Sequence, residues 1–176
     1  MIELKPFNKT DFHRLINWSS SEEILTQFAG PIFNFPLTIE QLEKYVTDKD
    51  RLPFKVIDSK TQDIIGHAEL LSTSDNETLK ICRVLIGDES NRGKGIGQKI
   101  IEELLKICFI DKQMNTVELN VFSWNTGAIT CYEKVGFKIN PRKSFKSEVD
   151  GNIWTALNMI LEKRSWKYEI NTPNTP

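Results

Sequence analysis

LKICRVLIGDESNRGKGIGQKIIEELLKIC, residues 79–108, is the stretch on which the reading of the fold turns. Leu79 to Ile86 alternates in its first half and ends on three apolar residues, Val84, Leu85 and Ile86, which predicts a strand that enters at the surface and ends deep in the fold. A short acidic turn follows, then Gly93, Gly95 and Gly97 alternate with side chains. From Ile96 onward, Ile100, Ile101, Leu104, Leu105 and Cys108 recur at helical spacing between Gln98, Lys99, Glu102, Glu103 and Lys106, predicting an amphipathic helix of three to four turns. Strand, glycine loop and helix start together bare backbone N–H groups toward an anion, because glycine permits unusual dihedrals and a close approach. Arg92 and Lys94 add positive charge at the rim, which suits a pyrophosphate better than a single carboxylate.

Two familiar phosphate loops are excluded by the residues themselves. The P-loop pattern G-x-x-x-x-G-K-S/T is supplied by no lysine, and the dinucleotide fingerprint G-x-G-x-x-G would need glycine at Gln98.

Working outward, Asp11 to Trp18 reads as a short helix capped by Thr10 or Asp11, and Glu22 to Phe28 as a second. Gly30 to Pro36 is a loop, and Thr38 with Gln41 forms a capping-box pattern that opens a helix to about Asp48. Phe54 to Ile57 and Ile64 to Ser72, with Gly66 inside it, read as a hairpin. Thr116 to Phe122 is a strand, Thr126 to Val135 a helix stopped by Gly136, and Phe137 to Ser147 with Ile153 to Glu162 a hairpin around Asp150-Gly151. Three helices, three strands, a helix, a strand, a helix and two strands make an α+β fold, a mixed sheet covered by helices. Residues 1–170 are expected to form one domain and 171–176 a frayed tail.

The chain has 176 residues, enough for one core; 39% hydrophobic and 27% charged residues argue against disorder. With 23 Lys plus Arg against 24 Asp plus Glu there is no global field to draw nucleic acid or an anionic membrane. Met1-Ile2-Glu3-Leu4-Lys5 does not read as a signal peptide and no apolar run is long enough for a span, so a cytoplasmic protein is expected, monomeric or homodimeric. Cys82, Cys108 and Cys131 are odd in number and widely spaced, and His13 and His67 are far apart, so no disulfide framework and no metal are expected.

The glycine loop has a counterpart. Arg92-x-x-Gly95-x-Gly97 resembles the Q/R-x-x-G-x-G/A signature of the GNAT acetyltransferase superfamily, and Asn125-x-x-Ala128-x-x-x-Tyr132-Glu133-Lys134-x-Gly136-Phe137 resembles that family's second signature. The resemblance spans roughly Leu52 to Glu162, and the layout looks most like the branch holding ribosomal-protein N-terminal and aminoglycoside or other small-amine acetyltransferases. It implies a mostly antiparallel sheet of six to seven strands, splayed at the cofactor, with acetyl-CoA as donor and an amine as acceptor. By the same resemblance the pyrophosphate lies on the amides of Arg92, Gly93, Lys94, Gly95, Ile96, Gly97 and Gln98, and the pantetheine arm runs along Val84, Leu85 and Ile86. The Leu85 N–H is expected to face the thioester carbonyl. Tyr132 holds the position of the general acid, Asn125 caps its helix and bonds the cofactor arm, and Lys134 touches a phosphate or is merely solvated. For the general base, Glu69, Glu77, His67 and water stay open. Acceptor choice falls to the N-terminal helices, the Phe33 to Phe35 loop and the last hairpin, where Glu22, Glu23, Glu40 and Glu43 are the acids a polycationic acceptor would need. The competing reading is a CoA-binding sensor of the same fold without turnover.

Overall fold

A computed structural model describes residues 1–149 and 151–167. The chain begins with a strand the periodicity did not reveal, β1 (Ile2–Pro6), whose two apolar side chains are too few to carry a pattern; it exists because it pairs antiparallel with β2 (Arg51–Asp58), Ile2 opposite Asp58 and Pro6 opposite Phe54. The first cap also differs from expectation. Asn8, not Thr10 or Asp11, closes the N-terminus: its Oδ1 accepts from Thr10 N at 3.0 Å while Asp11 Oδ2 accepts from Asn8 N at 3.1 Å, starting a 3₁₀ turn that runs into α1 (Phe12–Trp18).

Ser21 caps α2 (Glu22–Ala29) and Thr38 caps α3 (Ile39–Thr47). Gln41 does not complete the reciprocal box; its side chain accepts from Asn34 N at 2.8 Å and donates to Asn34 O and Pro36 O, fastening the aromatic loop to α3. The remaining elements follow the sequence closely: β3 (Ile64–Ser72), β4 (Thr78–Ile86), α4 (Ile96–Lys106), β5 (Thr116–Phe122), α5 (Thr126–Val135), β6 (Lys138–Val149) and β7 (Asn152–Glu162). A wide π turn, Ile107–Asp111, prolongs α4. The expected tail at 171–176 lies outside the described residues.

The sheet order is β1-β2-β3-β4-β5-β7-β6, antiparallel throughout except for β4 beside β5. One face carries α4 and α5 over Ile81, Ile100, Leu104, Leu119 and Met159; the other carries the N-terminal helices over Phe12, Leu25, Leu42 and Tyr45.

Two irregularities in the middle of this sheet position the site. Glu69 faces Cys82 but His67 faces Leu85, so β4 holds one residue more than β3 there, and Arg83 takes the left-handed conformation at φ 52°. A bulge of this kind reverses which face later residues point to. Leu79 and Ile81 pack into the α4/α5 core before it, whereas Val84 and Ile86 do so after it and Leu85 turns to the other core. The apolar Val84-Leu85-Ile86 ending is therefore not deep burial, as its composition suggested: Leu85 alone is buried, and its neighbours are half-buried. Second, β4 and β5 pair only from Thr78 to Ile81 and from Thr116 to Leu119; past that point they part.

Candidate functional site

The parted strands open a cleft of about 1100 Å³. Its walls bring together Val84, Leu85 and Ile86 of β4, Arg92, Gly93, Gly95, Ile96, Gly97 and Gln98 of the glycine loop, and Asn125, Tyr132 and Lys134 around α5, segments that are distant in sequence. Of the residues expected to hold the cofactor, Lys94 is not on the wall; it is exposed. Gln27, Phe28, Gly30 and Pro31 at the end of α2 form another wall, in the N-terminal helices expected to choose the acceptor, whereas Phe33 and Phe35 are not among the lining residues.

Gly93 and Gly95 both stand at φ 75°, and a Cβ on either would meet nothing within 4 Å. Backbone conformation, not space, demands glycine there. Gly95 is the N-cap of α4, and that helix has no side-chain cap, so the first-turn amides of Ile96, Gly97 and Gln98 are left without helical acceptors at the positive end of the helix dipole. At Gly97 a Cβ would lie 3.8 Å from Cys131 Sγ and 3.9 Å from Ile86 Cδ1, ordinary contact distances in the gap between α4, α5 and β4, so glycine is not demanded there by space.

The strand wall offers amides too, but not the one expected. Gly87 N–H donates to Ile65 O at 3.0 Å, and the register after the bulge sets Ile86 opposite Gly66 and Leu85 opposite His67. Hydrogen-bonded and non-bonded pairs alternate in an antiparallel ladder, so Leu85 turns its amide to β3 while Ile86 turns its own toward the cleft, and Val84 lies in the bulge itself. Leu85 is thereby corrected as the oxyanion donor. The glycine within β3 has its reason here as well, since a Cβ on Gly66 would come within 2.5 Å of Leu85 O.

On the far wall Asn125 Oδ1 accepts from Ala128 N at 3.1 Å, capping α5, and its amide nitrogen stays available. The helix ends at Gly136, φ 109°, with Phe137 N–H donating to Tyr132 O at 3.1 Å. That turn brings the Phe137 ring edge-on to Tyr132 at 6.2 Å. Burial first, and Cys131 second, push the Tyr132 phenol above its ordinary pKa, so it stays protonated at any physiological pH. Its hydroxyl has no hydrogen-bond partner among the described residues. A neutral proton donor without a partner among the described residues therefore lines the same cleft as the end of β4.

None of the three candidate bases is on these walls. His67 is buried, 3.1 Å from the Tyr45 hydroxyl through Nε2, and desolvation, with Arg83 adding to it, lowers its pKa to about 3. Glu69 is fully buried and clamped by Arg83 at 2.6 Å and Arg51 at 2.9 Å. Glu77 is exposed in the turn before β4, at the end of the strand opposite the glycine loop. The signal that was available for this buried cluster was Arg83, a charge inside an otherwise apolar strand ending.

The GNAT acetyltransferase domain family matches residues 2–138. Among curated proteins, the chain is 27% identical over 142 residues to acetyltransferase PseH of Campylobacter jejuni, covering 79% of this chain and 86% of that one. It is 35% identical over 54 residues to aminoglycoside N(6')-acetyltransferase type 1 of Klebsiella pneumoniae, which is 31% of this chain and 27% of that protein. Among solved structures, spermidine N-acetyltransferase of Vibrio cholerae in complex with CoA and spermine superimposes with a TM-score of 0.77 at 20% identity, over 93% of this chain and 96% of that one. Aminoglycoside acetyltransferase AAC(6')-Ib in complex with coenzyme A does so with a TM-score of 0.73 at 19% identity, over 94% and 96%. At these identities the two superpositions speak to the fold.

Proposed function

The chain belongs to the GNAT acetyltransferase family, enzymes that use acetyl-CoA, and we propose that it transfers the acetyl group to a primary amine, on a small molecule or a protein N-terminus, by direct attack on the thioester. The single observation that carries this reading is the splay of β4 from β5, which sets the strand end Val84 to Ile86 in one cleft with a Tyr132 hydroxyl that has no partner among the described residues.

In this reading the amides of Gly93 to Gln98 hold the pyrophosphate at the start of α4, with Arg92 and Lys134 supplying charge at the rim. Val84 and Ile86 receive the pantetheine arm as an added strand, and one of their N–H groups faces the carbonyl oxygen as charge develops; losing such a donor costs on the order of 3 kcal/mol. Asn125 caps α5 through its oxygen and steadies the same arm through its nitrogen. The acyl carbon gains a bond to the amine nitrogen and loses its bond to sulfur; Tyr132 gives its proton to the departing sulfur and recovers one from solvent. With His67 and Glu69 sealed under the sheet and Glu77 at its far end, water takes the proton released by the amine. Residues 1–170 act as one domain, and the three unpaired thiols suit a cytoplasmic setting.

The test is acetyl-CoA-dependent thiol release with a panel of amines. Release that depends on the amine supports the reading. Tight acetyl-CoA binding with no release by any amine leaves the sensor module instead.

A further inference from the structure

Every ionisable side chain on the cleft wall that carries a charge at neutral pH is cationic: Lys80, Arg83, Arg92, Lys134 and Lys146 line it, and among the described residues no carboxylate does. Arg92 and Lys134 belong to the glycine-loop end. The other three do not. Lys80 precedes the bulge, roughly 20 Å back along β4 from Ile86 at the ordinary strand rise, beyond reach of phosphates held on the loop.

Lys80 Nζ lies over the Phe145 ring at 5.6 Å and 2.9 Å from the Asn120 amide oxygen in the orientation that satisfies that amide. Lys146 is exposed on β6, and neither lysine has an ion pair among the described residues. Arg83 is 7% exposed at its side chain, bonded to Glu69 through Nη1 and set 5.7 Å from the Tyr45 ring centre, yet its buried Nε has no partner. Buried donors without acceptors are rare in native folds, and this one sits on a residue that lines the cleft. Glu69 is shared by Arg83 and Arg51, and Arg51 also holds Asp48, so that cluster is neutral; Glu118, opposite Lys80 across β4 and β5, is taken by Lys143 at 3.0 Å, which leaves Lys80 and Lys146 without an ion pair among the described residues.

We infer that the acceptor is an amine that also carries an anionic group, a carboxylate or a phosphate ester, received by Lys80 and Lys146 on the wall they share with Arg83. This rests on the transferase reading above and narrows its substrate class. A polycationic acceptor would bring charge of the sign the wall already bears. The acids that such an acceptor would need are elsewhere: Glu22, Glu23, Glu40 and Glu43 do not line the cleft, and Glu43 pairs with Lys9 at the surface.

Calorimetric titration of the CoA-loaded protein with aminopropyl phosphate, aminobutyrate, propylamine and diaminopropane separates the outcomes. At least one of the two anion-bearing amines binds about tenfold tighter than propylamine or diaminopropane, and the tighter of the two identifies phosphate or carboxylate. Lys146→Glu, a change at an exposed position, lowers that anionic affinity about tenfold while acetyl-CoA affinity holds. Equal or tighter binding of propylamine or diaminopropane overturns the inference, as does an absence of binding by all four. Failure of acetyl-CoA itself to bind, measured beforehand on the free protein, defeats the transferase reading instead.

Discussion

Replacing Tyr132 with phenylalanine removes one oxygen and leaves almost everything else in place. The ring keeps its contact with Phe137, and because the hydroxyl has no partner among the described residues its loss orphans no buried group there. Folding stability should therefore move by less than about 1 kcal/mol. Turnover should fall by roughly 10 to 1,000 fold, the scale of a lost general acid, which is about 1.4 to 4 kcal/mol in the barrier. The raised phenol pKa sets the expected loss toward the lower end of that span, since a proton moves uphill from such a group to a thiolate of pKa about 8.5. The same shift predicts that Tyr132 contributes no falling limb to the pH–rate profile below about pH 10. Thiol release under saturating acetyl-CoA, with acetyl-CoA affinity measured separately by titration, checks both claims. Unchanged turnover with a cognate amine would refute the proton-donor role, and a large loss of acetyl-CoA affinity would show the hydroxyl to be a binding group.

Other consequences follow from the loop and the buried cluster. Gly95→Asp should weaken acetyl-CoA binding by more than about tenfold, because it sets an anion at the cradle and forces a side chain onto φ 75° at a cost of about 1–2 kcal/mol; unaltered affinity by titration counts against the cradle. Glu69→Ala should destabilise the protein by about 3–5 kcal/mol in urea unfolding, since it strands the buried Arg83 guanidinium while Arg51 keeps Asp48, whereas Lys9→Ala at the exposed Glu43 pair should cost less than about 1 kcal/mol. His67 is held neutral in the fold with its pKa near 3, so between the unperturbed value of 6.5 and about 3 the unfolded chain binds the extra proton. Its contribution to stability is fully present above pH 6.5 and is lost as pH falls, by up to about 1.4 kcal/mol per pH unit. Unfolding free energies measured across that window should show a shallower slope in His67→Gln, and an identical slope would mean that His67 does not govern it.

Local pattern carried much of the fold. The apolar spacing from Ile96 to Cys108, the alternation from Thr116 to Phe122 and the Gly136 stop describe elements whose period and caps are written within a few residues of each other, and the structure has them where they were read. Where the deciding partner was distant, the reading failed. β1 needed β2 to exist, and the amide direction at Leu85 depended on a register set by Ile65 and His67. His67 and Glu69 looked like bases because sequence gives residue type without burial; packing under α3 and pairing with Arg51 and Arg83 removed them.

The sequence by itself determined the glycine loop, the helix it opens and the phenol on α5, because dihedral freedom and helical period are local properties. Only the tertiary structure decided that one extra residue at Arg83 turns the Ile86 amide to the cleft and that β4 leaves β5 after Ile81. Register and strand separation are sums over neighbours from other parts of the chain. The same sums place Lys80, Arg83 and Lys146 on one cleft wall that, among the described residues, no carboxylate lines, a charge balance that residues scattered from 80 to 146 do not disclose in a linear reading.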